Sequence, residues 1–175
     1  MKKSFGLRAT ALGASSLILL AGCAAPEPGA ASPSPAGTTI EVKDLWLKAT
    51  QDDMSSAFGT IENTGDHAVT ITRVSSAVSG DTGLHETVAN ESGAMVMREK
   101  TGGFTIEAHG KLELAPGANH LMIMDPKKPL KAGDEVALTL EFSDESSFDF
   151  TAPVKDFAGA KESYDESSSQ SGHGH

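Results

Sequence analysis

Two short segments of this 175-residue chain carry the residues able to do chemistry: His85, Met95 and Met97 in one, and His120, Met122 and Met124 in the other. In His120-Leu121-Met122 an imidazole and a thioether stand two residues apart. On an extended strand such residues share a face about 6.5–7 Å apart, close enough to converge on one ion. Chance alone supplies about 0.2 such His-x-Met pairs in a chain of this composition, so the pair needs context. His85 and the Met95/Met97 pair provide it, flanking a turn signal at Asn90-Glu91-Ser92-Gly93. Two hairpin-sized segments that each offer His and Met can make a four-ligand site. Thioether sulfur is soft and selects copper(I) over zinc, calcium or magnesium, while imidazole suits copper in either oxidation state. A thiolate would bind more tightly but is prone to oxidation outside the cytoplasm.

Strands must position these residues, and the sequence supplies them. Val136, Leu138, Leu140 and Phe142 alternate with polar or small residues, Ser143-Asp144-Glu145-Ser146 turns the chain, and Phe148 and Phe150 alternate on the return. That pattern is a hairpin with one buried face. Val69 and Ile71, Phe104 and Ile106, and Leu112 and Leu114 add period-two pairs, punctuated by Pro116-Gly117 and Ala132-Gly133-Asp134. No stretch carries a sustained helical stripe, and no internal repeat is visible. Short strands at regular spacing predict an antiparallel sandwich or barrel.

The ends read differently. Lys2, Lys3 and Arg8 precede an apolar, small-residue stretch that closes on Leu20-Ala21-Gly22-Cys23. The pattern is a secretory leader rather than a spanning helix. Leu-Ala-Gly-Cys resembles the bacterial lipobox, which predicts cleavage after residue 22 and lipidation of Cys23. Cys23 is the only cysteine, so the mature domain has no internal disulfide. The expected organisation is a leader at 1–22, a flexible Ala/Pro/Gly/Ser spacer at 23–38, one domain at 39–156 and an acidic, polar tail at 157–175. The tail ends in His173-Gly174-His175, a short histidine tract on glycine spacers that can take copper(II) as a second site. Losing the leader's three cationic side chains moves the formal charge from −10 to −13. So acidic a surface argues against nucleic acid and against anionic membrane faces. Membrane contact is therefore expected through the lipid alone, on the outer side of the cell membrane or in a periplasm.

Beyond these patterns, Leu84-His85-Glu86-Thr87, Met95-Val96-Met97-Arg98, the run Pro116 to Met124 and Lys128-Pro129-Leu130-Lys131-Ala132-Gly133-Asp134 resemble the PCu(A)C family of periplasmic copper chaperones. Asp44-Leu45-Trp46 and Ala57-Phe58-Gly59-Thr60-Ile61-Glu62-Asn63 are similar to its opening strands. The resemblance spans about residues 40 to 154. It implies a single all-β domain, a cupredoxin-like antiparallel β-sandwich of Greek-key type. It implies copper(I) ligation by His85, Met97, His120 and Met122. It also implies delivery of copper towards cytochrome c oxidase assembly, with cytochrome c oxidase subunit II or a thioredoxin-like copper chaperone as recipient and the protein working as a monomer. Both gaps between ligands are one residue longer than the family pattern, which turn insertions near Ser92 and near Gly102-Gly103 would absorb. Asn119 stands where an aromatic is common.

Other roles fit less well. Met95 and Met124 read as packing or flanking residues, Met54 lies in a polar stretch, and His67 and His109 read as solvated turn residues. A blue-copper electron carrier needs a Cys thiolate beside its histidines, and Cys23 is far from the motif. Hydrolytic motifs such as Gly-x-Ser-x-Gly and His-Glu-x-x-His are absent, so no enzyme is expected. The remaining alternative is a binding or structural lipoprotein of unrelated purpose with an incidental His/Met cluster.

Overall fold

A computed structural model describes residues 34–51, 54–159 and 163–164. Cys23, His173, His175, the leader and most of the spacer lie outside the described residues. Eleven strands follow a short 3-10 turn at Ala36–Thr38: β1 (Ile40–Lys48), β2 (Met54–Asn63), β3 (Val69–Ser76), β4 (Asp81–Ala89), β5 (Met95–Glu99), β6 (Phe104–Ile106), β7 (Lys111–Leu114), β8 (His120–Met124), β9 (Glu135–Phe142), β10 (Ser147–Lys155) and β11 (Ser163–Tyr164). No α-helix occurs among the described residues, and none of their helices is long and apolar enough to cross a membrane.

The strands make two layers. One runs β11-β5-β4-β8-β2-β1, with β7 also paired to β2, and the other runs β10-β9-β3-β6. They join where β1 and β10 pair in parallel at Leu47 and Val154. The expected hairpin is β9–β10, with Phe142 and Ser146 closing its turn. Alternating residues of both layers meet inside: Leu84, Leu121, Ile123, Ala57 and Leu47 from the first, and Val74, Leu138, Leu140, Ala152 and Val154 from the second. Each fully buried Leu or Ile contributes about 1.5–3 kcal/mol of apolar burial, which makes this the dominant favourable force.

Two family-like motifs have structural reasons. Asp44 adopts φ +53° and the β1–β2 register shifts between Lys43 and Trp46, a bulge that sends Trp46 to the outer face while Leu45 and Leu47 point inward. Gly59 lies against it at φ +145°, where a Cβ would stand 2.6 Å from the Leu45 Cα. Asn63 is buried, and its amide donates to the carbonyls of His67, Ile106 and Glu107 while its oxygen accepts from the Gly65 N–H and the Thr39 hydroxyl. One side chain thereby ties the end of β2 to β6 and to the chain entering β1.

The packed region extends past both expected boundaries. Ala36 is buried, and its N–H and that of Gly37 donate to Asp144 and Ser146 in the β9–β10 turn. Beyond residue 156, Phe157 packs edge-on against Trp46, and Ser163–Tyr164 pairs in parallel with Val96 and Met97.

Candidate metal centre

The outer face of the first layer carries the histidines and methionines. Strand pairing sets His85 directly opposite His120, and the next pair on the same face sets Gly83 opposite Met122. On the other side of β4, Thr87 stands opposite Met97. Their odd–even neighbours Leu84, Leu121 and Ile123 belong to the inner core, so every donor points away from it. Met97 and Met122 are each a diagonal neighbour of His85, about 7–8 Å away between Cα atoms, and they flank the histidine pair on opposite sides.

A row of rings crosses this face. Trp46 meets Phe58 at 5.2 Å between centroids, Phe58 meets His120 at 6.3 Å, and His120 meets His85 at 5.8 Å. Phe157 closes over Trp46 and Phe58. Both histidines, Met122 and Met97 are buried even though they lie outside the main core. Burial holds His85 neutral, pushing its pKa down to about 4, and the neighbouring His120 adds to the effect. A neutral imidazole is the form that binds metal.

Local turns aim the donors. Pro116-Gly117 forms a tight turn with Gly117 at φ +74° and the Ala118 N–H returning to the Ala115 carbonyl, the signature of a type II turn. The Ala118 carbonyl then accepts from His120 Nδ1 at 3.0 Å. A carbonyl only accepts, so Nδ1 carries the proton and the lone pair of the neutral ring is on Nε2. On the facing hairpin, Asn90 Oδ1 accepts from Ser92 and Ala94 N–H groups and holds the β4–β5 turn. Glu86 accepts from Arg98 at 2.8 Å and from Lys100 at 2.7 Å, fixing the register that puts Met97 beside His85. Its carboxyl is held below the ordinary value by Lys100 foremost and by Arg98. Ser92 lies in this turn, and Gly102 and Gly103 form the next at φ +82° and +77°.

Three residues without an assigned role from sequence shape the space around the donors. A Cβ on Gly83 would stand 2.8 Å from His85 Nε2, so the missing side chain leaves room for that ring above Met122's partner. The Ser56 hydroxyl donates to the Met122 sulfur at 3.4 Å. The Thr87 hydroxyl is buried with no hydrogen-bond partner among the described residues. Phe58 and Trp46 were visible as motif residues, but only the tertiary structure shows Phe58 tilted against His120 and Trp46 against Phe58.

The structure brings His85, His120, Met122 and Met97 onto one face around one histidine pair. It places Met95 opposite Ala89, 49% exposed and a further pair away from His85 than Met97. Met124 lies on the same face one step beyond Met122. His67 and His109 are exposed elsewhere, with His109 on Asp66 at 3.0 Å. Among the described residues no three of His, Cys, Asp and Glu gather at a metal-binding distance. Beside two histidines, the available donors are thioethers, a set that suits a soft monovalent ion.

The architecture is that of PCuAC domains. The apo PCuAC domain from PmoF1 matches with TM-score 0.58 and 23% identity, covering 72% of this chain and 100% of that one. The copper-bound PCuAC domain from PmoF2 gives 0.56 and 19%, with 72% and 99% covered. The CuI form of DR1885 from Deinococcus radiodurans gives 0.52 and 24%, with 75% and 85% covered. In sequence, residues 40–154 match the LpqE-like lipoprotein family. A Leifsonia xyli subsp. xyli protein named as a lipoprotein is 42% identical over 159 residues, 90% of this chain and 95% of that protein. An uncharacterized Rickettsia prowazekii protein is 29% identical over 115 residues, 63% of each. The chain belongs to the LpqE-like lipoprotein family.

Proposed function

We propose that this chain is an extracytoplasmic copper(I) carrier that receives and passes on the ion by ligand exchange. The observation that carries the reading is the buried His85–His120 cross-strand pair with Met97 and Met122 on its two flanks. In this reading His120 coordinates through Nε2, His85 through its neutral ring, and the two methionines through sulfur. Met97 is preferred to Met95 because it is buried and one diagonal step from His85. Individually weak thioether bonds let a recipient's ligands replace them one at a time. The solved relatives whose names include bound copper share the fold, which supports the same cargo here.

The finer parts of the proposal follow from the same chemistry. Cys23 is the lipidated residue and holds the carrier at a membrane surface, raising its effective concentration near a membrane-bound recipient. The recipient is a copper-accepting protein such as cytochrome c oxidase subunit II or a thioredoxin-like copper chaperone. His173 and His175 take copper(II) as a separate site. No catalytic step is part of the role.

Anaerobic copper(I) titration against a competing chelator tests the reading, using the chain with Cys23→Ser so that no thiol competes. One tight equivalent, lost in His120→Ala/Met122→Ala, is expected. Equal binding by both forms, or none by either, would overturn it.

A further inference from the structure

A second pair of thioethers lies on the same face, and only the tertiary structure brings it together. Met54 at the start of β2 stands directly opposite Met124 on β8, and Met124 stands directly opposite Asp81 on β4. Directly opposite residues have Cβ atoms about 4.5–5.5 Å apart, a span that two flexible thioethers can close around one soft ion. The next pair on this face is Ser56 and Met122. Met124 and Met122 are i and i+2 on one strand, about 6.5–7 Å apart.

Exposure falls in order along this line. Met54 is 41% exposed, Met124 is half-buried and Met122 is 1% exposed, next to His120 at 2%. The rest of the face shows that sulfur is not its default. Further along β2 and on its neighbours it carries charged pairs, Lys43 with Glu62 and Lys111 with Glu113. Thioethers gather around the histidines instead, Met54, Met124 and Met122 on one side and Met97 and Met95 on the other. Asp81 is exposed at the outer end and adds negative charge where a cation would arrive.

The structure assigns Met54 and Met124 to an outer landing site for copper(I), from which the ion steps to Met122 and then to His85 and His120. This deepens the carrier reading and rests on it. Each step exchanges one neutral donor for another on the same ion. The copper stays copper(I), no proton is released by a thioether, and no oxidant or reductant is required. Such a site answers a need of the geometry, because the histidine pair is buried and its cargo has to reach it past side chains.

The test pairs kinetics with a residue-level probe on the full chain carrying Cys23→Ser. Methyl-labelled methionines report silver(I), a stable stand-in for copper(I), by NMR, and stopped-flow follows copper(I) uptake from a chelator complex. At sub-stoichiometric silver the Met54 and Met124 methyl signals are expected to shift along with that of Met122. Met54→Leu/Met124→Leu, which keeps the volume at an outer position, is expected to load about tenfold more slowly and to reach the same final affinity. Unchanged loading in this variant, or Met54 and Met124 signals that stay still while Met122 moves, would overturn the landing site alone. No copper(I) uptake by either form would overturn the carrier reading together with it.

Discussion

The two faces of β4 and β8 have the same backbone and opposite purposes. Inward, Leu84, Leu121 and Ile123 join a continuous apolar core with the second layer. Outward, His85, His120 and Met122 are buried to a similar degree outside that core, with Phe58 against His120 and Trp46 and Phe157 against Phe58. The inner face gains stability from every methylene. The outer face holds two imidazoles away from water and, below about pH 6.5, gives up stability to keep one of them neutral. Burial alone therefore does not mark a core. What separates the faces is whether the buried atoms have lone pairs and whether the neighbours leave room, as Gly83 does beside His85.

Substitution can separate the faces most sharply at adjacent residues. Leu121→Ala should cost about 2–5 kcal/mol in urea unfolding, with copper(I) affinity of the folded protein largely kept. Met122→Leu, nearly equal in volume, should cost less than about 1.5 kcal/mol and weaken copper(I) binding in the chelator competition. Equal effects of the two on both measurements would erase the distinction.

Acid should weaken the outer face selectively. The folded His85 pKa of about 4 lies below the ordinary 6.5, so between these values the unfolded chain takes up a proton that the folded chain refuses. Stability from this group is complete above about pH 6.5, falls as pH drops towards 4, and changes no further below that. The loss is about 3 kcal/mol. Urea melts of the metal-free protein across this range should show the slope, and His85→Gln should remove that part of it.

Two glycines offer a smaller contrast. Gly83→Ala should cost about 1–3 kcal/mol and disturb copper(I) binding, because its methyl group would meet the His85 ring. Gly93→Ala has open space around it but sits at φ +83°, so it should cost about 1 kcal/mol and leave the metal site intact. Thermal melts and copper competition on both variants check this. The smallest effect is expected at Glu86→Gln, within about 1 kcal/mol for a partly exposed ion-pair cluster. It should appear as faster amide exchange across the β4–β5 hairpin.

Much of the fold was legible. The alternation at Val136–Phe142, the turn at Asn90–Gly93 and the Pro116-Gly117 reversal are local patterns, and each appears where the residues indicate. The proposed donors at 85, 97, 120 and 122 stood out as residue types and through a family resemblance. Their surroundings did not. Ser56 and Gly83 carry no signal of their own: the serine meets a sulfur on another strand, and the glycine matters only because the His85 ring of its own strand folds back over it. The reach of the packed region to Ala36 and Phe157 was hidden in segments whose composition reads as linker.

The sequence by itself determined the strands, the faces within each strand and the softness of the donor set, because side-chain alternation and ligand chemistry are local properties. Only the tertiary structure decided that His85 faces His120 and that Met54 faces Met124. Those pairings depend on register between strands distant in the chain, where a slip of one residue would turn every donor to the other face. Burial, and with it the neutral His85, was decided at the same level, since desolvation depends on what the rest of the chain folds over the ring.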